Sequence, residues 1–153
     1  MKTKTLLLCG ILGAGALTTF AGCSLFAPAD VAQAPAVPLA DTHWRLLQLG
    51  DQMVDNPPGA RDIHFVLQAQ NTTVSGDSGC NRMFGRYALN GASIKFDQMG
   101  GTRMFCQDRM EVEQKFLAMF ATVARWKITG QTLQLLDASG SAVGTFAATV
   151  ATG

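Results

Sequence analysis

Residues 74–87 read Val-Ser-Gly-Asp-Ser-Gly-Cys-Asn-Arg-Met-Phe-Gly-Arg-Tyr, the densest run of structural signals in this chain. Its three glycines indicate a loop whose backbone has a positive φ or approaches its neighbours closely. The run matches neither GxxxxGK[ST] nor a GxGxxG that opens a helix, so no nucleotide-phosphate site is predicted. Asn81 can support a turn with its side-chain amide. Phe84 and Tyr87 are predicted core anchors.

A second run, residues 99–106, reads Met-Gly-Gly-Thr-Arg-Met-Phe-Cys and leads into a predicted helix. Two of the four cysteines lie near the N-terminus, at Cys9 and Cys23. Cys80 and Cys106 are then the one remaining pair of cysteines. In an oxidising compartment this pair is predicted to form a disulfide. That bond would pin the glycine-rich run to the start of the helix.

The N-terminus has the layout of a bacterial secretory signal that ends in a lipid attachment site. Lys2 and Lys4 precede an apolar stretch that closes with Phe-Ala-Gly-Cys at Cys23, which resembles a lipobox. The sequence therefore predicts a lipoprotein signal peptide over 1–22, a lipidated Cys23 with a Pro/Ala-rich tether over 23–40, and a folded domain over 41–150. The alternatives are a plain secretory signal and an uncleaved anchor helix. Ser24 favours the periplasmic face of the outer membrane over the inner membrane.

Composition limits the partners that the remaining chain is expected to have. The length suits a single domain. The predicted signal holds two of the twelve basic residues, so ten basic and eleven acidic residues follow it, a formal charge of −1. Without a basic cluster, no nucleic-acid partner is expected. No second apolar run reaches the roughly 20 residues that span a bilayer.

The rest of the chain alternates short β-like segments with Gly, Asn, Asp and Pro punctuation. Strands are predicted at 44–49, 63–67, 72–76, 86–89, 93–97, 124–128, 132–136 and 142–147. Asn90-Gly91 predicts a tight hairpin. A helix is predicted over 107–123, capped by Asp108 with Glu111 reaching back. Its apolar stripe should face the core; it consists of Val112, Phe116, Met119, Phe120 and Val123.

Candidate chemistry outside these runs is sparse, and no catalytic, metal-binding or cofactor site is predicted. His43 and His64 are the two histidines, and we expect both to be exposed strand residues. No CxxC, HxxxH or HExxH spacing occurs, which argues against a metal centre. Arg82, Arg86 and Arg103 flank the cysteine runs and are either ordinary solvated arginines or a small patch for an anionic ligand.

Taken together, the motifs resemble the META domain, a family that includes the HslJ-type heat-shock lipoproteins of the bacterial envelope. The resemblance extends over about residues 41–147. It rests on Trp44-x-Leu46, Glu113-x-x-Phe116, Leu133-x-Leu135 and two central motifs. The central motif residues are Gly79, Cys80, Asn81, Arg82, Gly85, Tyr87, Thr102, Met104 and Cys106. One departure is Phe105, where the family usually has a small residue.

The resemblance implies an α+β fold in which a curled antiparallel sheet of about seven or eight strands, partly open and barrel-like, packs around a single helix. It also implies links to envelope stress and to tolerance of hydrophobic antibiotics such as novobiocin, and it transfers no catalytic residue. We therefore expect a lipid-anchored, non-catalytic binding or structural module with an envelope protein as a candidate partner. The alternatives are a periplasmic carrier of a small apolar ligand and an enzyme with a dispersed site.

Overall fold

The computed structural model describes residues 37–57 and 59–149, which belong to one compact unit, Ala32–Gly153. The predicted signal peptide, Cys23 and most of the predicted tether lie outside the described residues. The end of that tether is part of the packed domain: Leu39 is buried in the core and the Val37 N–H donates to the Gly130 carbonyl at 3.3 Å. In the described part of the chain, no helix is long and apolar enough to span a membrane.

The described residues form nine strands and one helix. Their bounds are β1 His43–Leu49, β2 Gln52–Met53, β3 His64–Gln68, β4 Thr73–Asp77, β5 Arg82–Asn90, β6 Ser93–Gly101, α1 Met110–Met119, β7 Arg125–Thr129, β8 Thr132–Leu136 and β9 Ala142–Thr149. All pairings are antiparallel, and the order is β2-β1-β3-β4-β5-β6-β7-β8-β9. The added pairing of β1 with β9 joins the two ends of this order.

The sheet is thus a nearly closed ring of eight strands, with the two-residue β2 beside one end of β1. Its weakest seam lies between β6 and β7, which share the single register pair Ser93 with Arg125. Two backbone hydrogen bonds flank this pair, from Ile94 to Ala124 and from Trp126 to Ala92. The predicted curled, partly open sheet around one helix is confirmed.

Alternation along the strands decides which side chains enter the ring. In β5, Met83, Gly85 and Tyr87 are buried while Arg82 and its outward neighbours are exposed, as the two-residue period of a strand requires. β5 begins at Arg82, four residues earlier than predicted, because the glycine-rich run continues the sheet. Phe84 therefore points outward and is 57% exposed, so its prediction as a core anchor is wrong, whereas that of Tyr87 is confirmed.

Helix α1 packs its apolar stripe against the inner face of the ring. Phe116 and Met119 on the helix are buried as predicted, and so are Phe120 and Val123, which follow its end; Val112 is partly buried. The helix is shorter than the predicted 107–123. The predicted cap is wrong: Arg109 is the N-cap residue and makes no side-chain cap hydrogen bond. Its backbone N–H instead closes a turn on the Cys106 carbonyl at 3.0 Å. The helix start is therefore fixed by the disulfide segment.

An aromatic cluster fills the interior of the ring. Phe120 lies edge-on to Phe65 and Phe96, with ring centroids 5.7 and 4.7 Å apart. Phe146 contacts Phe65 at 4.9 Å and Phe116 at 6.3 Å. Edge-to-face aromatic pairs of this kind add to the free energy gained from burial, so the helix and the ring stabilise each other.

Candidate functional site

Asn81 joins the two cysteine runs, and every hydrogen-bonding position of its side-chain amide is used. Its Oδ1 accepts from Met104 N at 2.7 Å and from Thr102 Oγ1 at 2.8 Å. Its Nδ2 donates to the Met104 carbonyl at 3.0 Å and to Glu113 Oε1 at 2.9 Å. An amide has two donor hydrogens and two acceptor lone pairs, so Asn81 holds both backbone groups of Met104 at once.

Glu113 anchors this network to helix α1. Its side chain is 6% exposed, although it is ionisable, and both carboxylate oxygens lie within hydrogen-bond distance of Asn81 Nδ2. A carboxylate out of water is costly unless it is hydrogen-bonded. The helix and the loop after β6 are therefore held in one relative position by the Asn81–Glu113 contact.

Cys80 and Cys106 form the predicted disulfide, with Cα atoms 5.9 Å apart and a sequence separation of 26. A cross-link of this loop length stabilises a fold by about 3 kcal/mol in the chain-entropy model. Together with Asn81, it fixes the segment Thr102–Cys106 at both ends. We call this segment the pinned loop.

The other motif residues build the base of the pinned loop. Gly79 has φ +94°, a left-handed conformation that favours glycine. Gly85 is closely packed: an added Cβ would force the Met99 sulfur to move and would lie 3.1 Å from the Asp97 carbonyl oxygen. Thr102 N donates to the Arg82 carbonyl at 3.0 Å, and the Arg82 N–H donates to Thr102 Oγ1 at 3.1 Å.

The pinned loop presents apolar side chains to solvent. Met104 is 49% exposed and Phe105 is 80% exposed, although their backbone lies between the Asn81 hydrogen bonds and the disulfide. Sequence reasoning placed the motif residues but missed that they converge on this exposed pair. The Glu113-x-x-Phe116 spacing could have indicated that Glu113 is buried. Positions three apart share a helix face, and Phe116 is buried.

The two histidines meet on the ring, which the sequence did not indicate. His43 and His64 stack with ring centroids 4.0 Å apart and planes 24° apart, and both are half-buried, so their prediction as exposed residues is wrong. His43 Nδ1 and Thr149 Oγ1 form a hydrogen bond of 2.6 Å, and the same hydroxyl lies 3.3 Å from the His43 carbonyl oxygen. His64 Nδ1 donates to the Asp62 carbonyl at 2.9 Å.

This pair does not form a metal centre. Ring nitrogens in two nearly parallel, stacked planes do not point at one ion. Within residues 37–57 and 59–149, no group of three His, Cys, Asp or Glu side chains is placed to hold a metal.

Acid should destabilise the domain through His43. Burial and then the neighbouring His64 lower the pKa of His43 from its ordinary value of 6.5, with Asp62 acting in the opposite direction. The unfolded chain then binds this proton more readily, so the stabilisation is present above pH 6.5 and is lost as the pH falls through the folded pKa. Melting temperatures measured across this range should fall less steeply for His43→Gln than for the unchanged protein. Parallel curves would contradict the assignment to His43.

A nearly closed antiparallel ring around one helix, with a disulfide-pinned loop at one end, defines the class: a small α+β domain with a protein-filled interior. The META domain family model matches residues 37–150. The chain therefore belongs to the META domain family.

Two solved structures share the fold. A protein from Burkholderia xenovorans, solved by NMR, is 30% identical with a TM-score of 0.60; the match covers 73% of this chain and 84% of that one. A second NMR structure is 20% identical with a TM-score of 0.57, covering 71% of this chain and 90% of that one, and its likeness concerns the fold alone. No curated protein matches the chain.

Proposed function

We propose that this protein is a lipid-anchored envelope module that acts by binding rather than by turnover. Its acylated Cys23 would hold the domain on the periplasmic face of the outer membrane. The lipobox-like run before Cys23 and the membership of the META domain family support the envelope assignment. In keeping with the resemblance to HslJ-type lipoproteins, the module would contribute to heat and novobiocin tolerance.

The observation that carries a binding role is the pinned loop. The amide of Asn81 holds the loop backbone at Met104 and is itself bound to the Glu113 carboxylate. They hold Phe105 in solvent, where it contributes little to the core. Polar groups arranged in this way stabilise a presented surface, and rigid presentation lowers the entropic cost of binding a partner.

Replacing Cys23 by alanine should abolish acylation and membrane retention while the domain still folds. The measurement is palmitate labelling together with partition into detergent, since several acyl chains at about 0.8 kcal/mol per buried CH₂ hold a protein durably.

In a deletion strain sensitised to heat or novobiocin, Cys23→Ala should fail to restore tolerance, whereas a protein with both histidines replaced by glutamine should succeed. Continued labelling of Cys23→Ala would contradict the anchor. Failure of the folded, correctly located histidine variant would favour an enzyme or a metal protein.

A carrier of small apolar ligands is the second candidate, and one depression favours it. A surface depression of about 480 Å³ lies between the turn end of the β5–β6 hairpin and residues 120–124, next to the β6–β7 seam. Apolar side chains of Ile94, Phe96, Phe120 and Val123 contribute to its lining. Because the aromatic cluster occupies the interior, a ligand would have to sit in this open depression. Saturable binding of a fatty acid that Val123→Gln abolishes would favour the carrier.

A further inference from the structure

One end of the β5–β6 hairpin carries exposed apolar and cationic side chains side by side. Arg82, Phe84 and Arg86 alternate on the outward face of β5, and Phe84 packs over Gly100 of β6. The pinned loop follows β6 directly and adds Arg103, Met104 and Phe105. We call these six residues the cationic apolar surface.

The two halves of this surface are tied to each other through the backbone. Thr102 and Arg82 exchange two hydrogen bonds, of 3.0 and 3.1 Å, and the side chain of Asn81, next to Arg82, holds Met104. The spacing between Phe84 and the pinned loop is therefore set by the sheet register and the Asn81 network. A partner meets a surface that is already ordered.

The charge on this surface is not neutralised within the described residues. The ion pairs there are Arg61 with Asp77 and Lys115 with Glu111, and neither involves an arginine of the surface. Asp97 is the register partner of Arg86, yet the two side chains form no ion pair. Asp77, the register partner of Arg82, is paired with Arg61, so three arginines against Asp97 leave a net positive charge that an anionic partner would complement.

We propose that the cationic apolar surface docks the domain onto an anionic phospholipid bilayer, with Phe105 and Met104 entering the headgroup region and the arginines contacting phosphates. At the surface of an anionic bilayer, single apolar side chains insert between the headgroups while neighbouring cationic side chains contact the lipid phosphates. A stable protein interface would need about 800 Å² on each partner with an apolar centre, and here the apolar residues alternate with charges. The idea rests on the proposed anchor, which keeps the domain near a membrane and makes weak binding sufficient.

The test uses the oxidised domain Ala32–Gly153, which contains the whole described core and lacks Cys23. It is mixed with phosphatidylcholine vesicles with and without phosphatidylglycerol, and binding is measured by flotation. We expect binding to the anionic vesicles that weakens with salt. Phe105→Ser should weaken it about tenfold, and Arg103→Gln about fivefold. Fluorescence of Phe105→Trp should shift to the blue on binding.

Matched controls lie away from the surface. Leu89, 45% exposed, stands at the other end of β5, and Lys127 is exposed on β7. Leu89→Ser and Lys127→Gln should change binding less than about twofold. Equal binding to both vesicle types, or equal losses for controls and surface variants, would overturn the proposal. No vesicle binding, with a photocrosslinker at position 105 capturing an envelope protein, would replace the bilayer with a protein partner. Because the domain lacks Cys23, none of these results decides whether the anchor exists; palmitate labelling does.

Discussion

Replacing Phe116 by alanine should lower the free energy of unfolding by about 3–5 kcal/mol. The side chain is 0% exposed and contacts Phe120 at 5.2 Å and Phe146 at 6.3 Å between ring centroids. Phe120 directly follows the helix and Phe146 lies on β9, so the two rings cannot easily collapse into the space that Phe116 leaves. The loss combines buried apolar area with the cost of a cavity, and urea denaturation measures it.

Gln114 provides the matched control on the same helix. Its side chain is exposed, so Gln114→Ala should change stability by less than about 0.5 kcal/mol. Similar small losses at both positions would mean that the helix does not pack inside the ring.

Replacing Asn81 by alanine should cost about 3 kcal/mol, because the buried Glu113 carboxylate and two backbone groups lose a hydrogen-bond partner. The change removes the donor at 2.9 Å from the Glu113 carboxylate and leaves both Met104 backbone groups without their Asn81 partners. It removes little apolar volume, so the loss measures the polar network rather than packing. Thermal and urea unfolding of the oxidised protein give the value.

A double-mutant cycle with Glu113→Gln separates the buried charge from the rest of the network. Glutamine keeps an acceptor for Asn81 Nδ2 without a charge, so Asn81→Ala should cost at least about 1 kcal/mol less in that background. Additive losses would show that Asn81 and Glu113 contribute independently to stability. That result would contradict the claim that their contact joins the helix to the pinned loop.

The ring and the helix stripe follow from local patterns. Tyr87 is predicted as a core anchor and Phe116 as part of the apolar stripe of the helix, and both are buried. The sequence misassigns Phe84 because its glycines predict a loop between the strands expected at 72–76 and 86–89. Once β5 is extended to Arg82, Phe84 and Tyr87 stand three apart in one strand and must face opposite sides.

The candidate site is harder to predict from the sequence than the fold. It depends on the register of neighbouring strands and on contacts between residues that are far apart in the sequence. Asn81 and Glu113 are 32 positions apart, and neither residue type signals the other. The prediction of the helix cap is wrong for a related reason. The disulfide segment closes a turn at Arg109 through the Cys106 carbonyl, and this tertiary constraint replaces the Asp108 and Glu111 cap that local sequence predicts.

Amide hydrogen exchange at Met104 tests the central claim, that a buried polar network holds the pinned loop rigid while its side chains face solvent. The Met104 N–H donates to Asn81 Oδ1 at 2.7 Å in a residue that is 49% exposed. In the oxidised protein it should exchange as slowly as core amides such as that of Leu46, and Asn81→Ala should return it to the rate of a free loop. Fast exchange at Met104 in the unchanged protein would contradict the account.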